Sequence, residues 1–81
     1  LKPSVNLKWE KGDAKATSWI VKVYQEKTES KPITQKLTTT GAELDVPQDG
    51  RYIAEVEAFD DRGTLVARSP KRQVKVGSAP L

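Results

Sequence analysis

The sequence has no cysteine and no histidine. Without thiols there is no disulfide to staple a small fold and no thiolate to hold a transition metal; stability must come from packing, and redox compartment cannot be read from cysteine usage. Without histidine the commonest general base is missing, and a serine–histidine triad is impossible within the chain. Gly12, Gly41, Gly50, Gly63 and Gly77 stand singly, so there is no glycine-rich phosphate loop, and each reads as a turn or an end. Apolar runs are only a few residues long, far short of the roughly 20 that span a bilayer, and the opening LKPSVNLKWE lacks the h-region of a signal peptide. No membrane insertion by this segment is expected. The chain does not begin with methionine, which leads us to expect a piece excised from a longer multidomain protein.

What is present fits one small domain of 81 residues, with a core over about residues 3–76 and a linker from 77 to 81. Hydrophobic residues make up 36% and charged residues 31%, but the apolar positions come in short ordered groups, which favours a folded unit over a disordered chain. The net charge of +3 is spread among interleaved charges of both signs. The densest basic cluster, Arg68, Lys71, Arg72 and Lys75, reads as a solvated strand edge, and a nucleic-acid partner is not expected.

Alternation of period two recurs along the chain. Val5, Leu7 and Trp9 alternate with polar residues, and a turn follows at Glu10-Lys11-Gly12-Asp13. In TSWIVKVYQE, Trp19, Val21 and Val23 share one face, and β-branched and aromatic residues favour strand over helix. Lys27 to Pro32 is a polar connection. Ile33 to Thr40 predicts an edge-like third strand ended by Gly41, and Leu44 and Val46 flank Asp45 in a short fourth. After the tight reversal Pro47-Gln48-Asp49-Gly50, Tyr52, Ala54, Val56 and Ala58 alternate inward on the longest strand. Asp60-Asp61-Arg62-Gly63 predicts a hairpin-type turn. Thr64 to Arg68 and Arg72 to Val76 predict one returning strand, interrupted where Pro70 removes a ladder donor. No apolar stripe of helical period is sustained, so the expected fold class is all-β and antiparallel, a sandwich of six to seven strands.

The order LKW, WIVKV, VPQDGRY and EVEAFDDRG, with a serine before the last strand, resembles the fibronectin type III or immunoglobulin-like sandwich of bacterial cell-surface and envelope proteins, over residues 3 to 76. The resemblance implies that Trp9 packs at the core centre and that Trp19 opens the third strand of that fold. It also implies a tyrosine corner built from Val46, Pro47 and Tyr52, with the hydroxyl bonded to an upstream backbone group. The family has a further strand before the tryptophan-bearing one, and only Leu1 to Ser4 precede it here; that strand is expected to be short or missing.

Four carboxylates, Glu55, Glu57, Asp60 and Asp61, crowd seven positions of YIAEVEAFDDRG. Glu55 and Glu57 on one strand face would lie about 7 Å apart, two steps of roughly 3.4 Å, a spacing that does not by itself exclude a glycosidase pair. A domain this small offers little material for a deep cleft, and both side chains point away from the core, so catalysis is not expected. Asp60, Asp61, Asp13 and Asp49 are oxygen donors of the kind calcium takes, but the EF-hand spacing is absent and Arg62 intrudes. A plain turn is preferred, and no cofactor or metal is expected.

If the inward residues are as above, Ile20, Lys22 and Tyr24 face outward on one strand and Ile53, Glu55, Glu57 and Phe59 on its neighbour. Antiparallel pairing in the resembled fold puts Ile20 near Phe59, Tyr24 near Ile53, and Lys22 between Glu55 and Glu57. This set is either a ladder of cross-strand pairs on an open face or an apolar strip for a neighbouring domain or another envelope protein. The resemblance implies a non-catalytic extracytoplasmic module that spaces domains and makes protein contacts. The alternative is a carbohydrate- or peptidoglycan-binding module, with Tyr24 and Phe59 as stacking platforms.

Overall fold

The computed structural model describes residues 3–26 and 31–77. They form seven strands: β1 (Ser4–Lys8), β2 (Ser18–Gln25), β3 (Ile33–Leu37), β4 (Gly41–Asp45), β5 (Gly50–Phe59), β6 (Leu65–Arg68) and β7 (Arg72–Val76). Every pairing is antiparallel, and among the described residues there is no helix. β1 and β4 make a two-stranded sheet; the larger sheet runs β3-β2-β5-β6, with β7 also paired to β5.

The ten residues of β5 organise the larger sheet. One edge pairs with β2 from Ser18↔Phe59 to Gln25↔Tyr52. Along its other edge β7 lies against Gly50 to Ala54, and β6 against Glu57 to Phe59. The returning strand is therefore one path broken at Ser69-Pro70, as the proline predicts. The break carries an extra residue: between the Ser69–Val56 contact and the Arg72↔Ala54 pair, the returning strand advances one residue more than β5. Ser69 holds the ladder together there. Its backbone N–H donates to the Val56 carbonyl and its Oγ accepts from the Val56 N–H, both at 2.8 Å.

The core lies between the sheets, where Val5, Leu44 and Val46 meet Val21, Val23, Tyr52, Ala54 and Val76. Tyr52, Val21 and Val23 are its largest fully buried side chains, and complete burial of a valine contributes about 1.5–3 kcal/mol. A second, smaller cluster of Ala16, Trp19 and Ala58 continues it toward the Asp60 turn. The inward set predicted for β5 is found, with Val56 half-buried and touching both clusters. The tyrosine corner is present in geometry: the Tyr52 hydroxyl donates to the Gln48 carbonyl at 2.6 Å and accepts from Gln25 Nε2 at 3.3 Å.

Two expectations are corrected. Gly41 does not end the third strand; that strand stops at Leu37, and Gly41 opens β4 instead. The threonines carry the chain from one sheet to the other, and β1 comes so close to β4 that a Cβ at Gly41 would stand 3.3 Å from the Leu7 carbonyl oxygen. Trp9 is not the centre of the core. β1 ends at Lys8, one last rung runs from the Trp9 N–H to the Thr40 carbonyl at 2.9 Å, and the half-buried indole lies at the seam of the two clusters. The expected connection over residues 27–30 and the linker over 78–81 lie outside the described residues.

Candidate functional site

The acidic stretch separates into a turn and a sheet face. Asp60 Oδ1 accepts from the backbone N–H groups of Arg62 (2.9 Å) and Thr64 (2.8 Å), its carbonyl accepts from the Gly63 N–H at 3.0 Å, and Gly63 takes a φ of 80°. That carboxylate is committed to closing the hairpin. Asp13 does the same in the preceding loop, accepting from the Lys15 N–H at 2.8 Å. Among the described residues, no three acidic side chains gather in a metal-binding group.

On the outer face of the larger sheet, register decides the pairs. Tyr24 stands opposite Ile53, as expected, and Lys22 opposite Glu55. Ile20, however, stands opposite Glu57, while Phe59 faces Ser18, so Ile20 and Phe59 are diagonal neighbours rather than partners. Lys22 Nζ reaches Glu55 at 3.9 Å. Glu57 takes a different cation: β6 places Arg68 directly across from it, and Glu57 Oε2 accepts from Arg68 Nη2 at 2.8 Å and Nε at 3.2 Å. Both carboxylates are therefore matched by charge, at contacts worth up to about 1 kcal/mol in a solvated setting.

Ile20, Tyr24, Ile53 and Phe59 are each half-buried. The large apolar side chain left exposed among the described residues is Leu65, at 42%, and it pairs across the ladder with Phe59. Sequence reasoning missed it because the turn and a register shift beside Phe59 hide which face Leu65 takes.

A second feature was also invisible in the sequence. A groove of about 450 Å³ opens between β1 with its following loop and the β5–β6–β7 side of the larger sheet. Leu7, Trp9, Val56, Ala67 and Pro70 supply its apolar lining, and Lys8, Lys11 and Arg72 are among the charged residues on its wall. Trp19 also lines it but is buried, with its indole N–H donating to the Lys11 carbonyl at 3.2 Å. The Trp9 indole N–H is buried with no hydrogen-bond partner among the described residues, a condition that costs about 1–3 kcal/mol.

Across the described residues the fold is all-β and antiparallel, with two sheets and seven strands. No protein-family model, curated protein or solved structure matches the chain.

Proposed function

We propose that the chain is a non-catalytic module of the fibronectin type III or immunoglobulin-like kind, which spaces domains and contacts other proteins outside the cytoplasm. The observation that carries the contact role is the outer face of the larger sheet. There Phe59 and the exposed Leu65 extend the apolar set of Ile20, Tyr24 and Ile53, while Lys22–Glu55 and Arg68–Glu57 neutralise the charges beside it. A face with its charges matched and its apolar side chains incompletely covered loses little by giving up water to a protein neighbour. Three of the four carboxylates that first suggest chemistry are engaged, Asp60 by backbone donors, Glu57 by a guanidinium and Glu55 by Lys22. The extracytoplasmic setting and the kinship rest on the resemblance set out above.

The test places alanine at Tyr24 and Phe59, and separately serine at Leu65, in the full-length polypeptide. Limited proteolysis and solution scattering then read the packing between domains. The expected result is looser packing in both, with the Leu65→Ser domain itself as stable as the parent to within about 0.5 kcal/mol, as for a surface change. Unchanged packing in both variants sinks the interface.

A further inference from the structure

We infer that the end of the larger sheet's outer face where Arg51 stands across from Lys75 is a carboxylate-binding site, and that the protein docked on this face carries aspartate or glutamate beside an apolar side chain. This rests on the reading of the outer face as a protein contact and states what chemistry the partner brings to it.

The two cations are brought together by the ladder. Tyr52, Ala54 and Val76 are buried and Val74 packs on the core, so alternation turns Arg51 and Lys75 to the outer face, where register sets them directly opposite. The Ser69 N–H donates to the Val56 carbonyl and the Glu26 N–H to the Arg51 carbonyl, which turns the backbone groups of Tyr52 and Ala54 toward β7 and those of Arg51 and Ile53 toward β2. Arg51 and Lys75 are therefore a non-hydrogen-bonded pair, the kind with Cα atoms about 4.5 Å apart and the closer side chains. Like charges set directly opposite destabilise a sheet. The middle of the same face does the reverse, with Lys22 across from Glu55 and Arg68 across from Glu57, both as ion pairs. Glu26, on the far side of Arg51, accepts instead from Gln73 Nε2 at 2.7 Å, and Asp49 lies against Gly77. Neither Arg51 nor Lys75 has an ion pair among the described residues, and both are exposed. The run of cations late in the sequence is thus divided in space: Arg68 is neutralised, Arg72 pairs with the inward Ala54, and Lys75 joins Arg51.

Chemistry and position together say what occupies the site. A guanidinium takes a carboxylate through two parallel N–H donors and an ammonium adds a point charge, so an anion between the two removes a repulsion that the free domain carries. The next rung on the same face is Tyr24 across from Ile53, both half-buried and about 7 Å away, two steps of about 3.4 Å. A ligand that covers both rungs has an acid and an apolar group at neighbouring positions, as a protein segment does. Arginine and tyrosine are also the side chains on which interface energy concentrates. A long polyanion laid along this face would meet Glu55 and Glu57 at its middle, which disfavours nucleic acid. A second copy of this chain brings the same two cations, so the complementary charge belongs to a different protein.

The experiment titrates the 81-residue chain with two capped tripeptides, aspartate-leucine-aspartate and asparagine-leucine-asparagine, and follows backbone and side-chain NMR shifts. The acidic peptide is expected to shift Arg51, Lys75 and Tyr24 along one saturable curve, and the asparagine peptide to bind about tenfold more weakly or less. Arg51→Gln and Lys75→Gln each weaken the acidic peptide by about threefold or more. Lys36→Gln is the control: it removes the same charge from the same face, across from Ile20, six steps or about 20 Å along the sheet from the Glu26 rung. That separation exceeds the screening length at physiological salt, so the change there stays below about 1.5-fold. Because Arg51→Gln relieves a like-charge pair, the urea midpoint of that variant does not fall.

The inference is overturned by an equal response to both peptides, or by a loss in Lys36→Gln that matches the loss in Arg51→Gln. A lower urea midpoint for Arg51→Gln overturns it too, since Arg51 would then have its partner within the fold. Tighter binding at these residues by an oligothymidylate or by phosphatidylglycerol vesicles than by the acidic peptide would assign the site to phosphate, and that also overturns it. A flat titration beside Tyr24, Phe59 and Leu65 variants that do loosen domain packing refutes this inference alone. Capture of the acidic peptide at Arg51 and Lys75 beside inert outer-face variants refutes only the packing of domains on that face.

Discussion

Replacing Tyr52 by phenylalanine isolates what the corner hydroxyl contributes. The ring is 1% exposed and phenylalanine keeps it, so no cavity opens in the core. What is lost is the 2.6 Å bond to the Gln48 carbonyl and the longer one from Gln25 Nε2 at 3.3 Å. A typical intramolecular hydrogen bond has a net value of about 0.5–1.5 kcal/mol. The short bond to Gln48 belongs at the top of that range. The Gln25 contact is close to the limit of hydrogen-bond distance and adds little. The sum is about 1.5 kcal/mol, which for a domain of this size lowers Tm by about 6–12 °C. Urea unfolding followed by tryptophan fluorescence gives the free energy directly, and the m value should stay the same because the buried surface does. A loss smaller than about 0.5 kcal/mol, in the range of an ordinary surface change, would refute the assignment of the hydroxyl as the pin of the crossover into β5. A change in m would refute the premise that the core is untouched.

Two further outcomes follow from the hairpin and the broken strand. Ser69→Ala removes the acceptor of the half-buried Val56 N–H, so stability should fall by about 1–3 kcal/mol; faster exchange of that amide in particular distinguishes the lost bond from general loosening. Gly63→Ala leaves the new methyl in open space but puts an L-residue at a φ of 80°, a backbone cost of about 1–2 kcal/mol; an equally stable variant in urea would mean the turn relaxes to another type.

The elements with a strong local signature were legible in the sequence. Alternation of Trp19, Val21 and Val23, and of Tyr52, Ala54 and Ala58, fixes the inward face because a strand cannot slip by one residue without exposing all of them. Pro47 and the Asp60–Gly63 turn mark their own boundaries by backbone chemistry. Less legible was anything set by partners in space. Glu57 takes Arg68 rather than Lys22 because a register shift in the hairpin places β6 across from it, and nothing local announces such a shift. Gly41 reads as a terminator, yet its value is the narrow approach of β1. Trp9 shares the alternation of Val5 and Leu7, but a place at the core centre is only what the resemblance implies; packing puts its half-buried indole at the seam of the two clusters. The groove forms where the loop after β1 meets β5, β6 and β7, a meeting set by tertiary packing that no local residue pattern announces.

The pairing of β5 with β2 sets how this chain finds its structure. The rung that comes first along the loop, Gln25 with Tyr52, joins residues 27 positions apart. Closing a loop of that length costs about 3 kcal/mol of chain entropy beyond a constant, from the logarithmic dependence on length, and no contact across the sheet repays it until the ends have met. The short hairpin at Asp60 can close first and present β5 with one neighbour in place, but the central ladder still waits on a long search. Folding on the millisecond-to-second scale typical of sheets built from distant segments is the consequence. During that search the edge of β5 that belongs to β2 is open to any strand that arrives earlier.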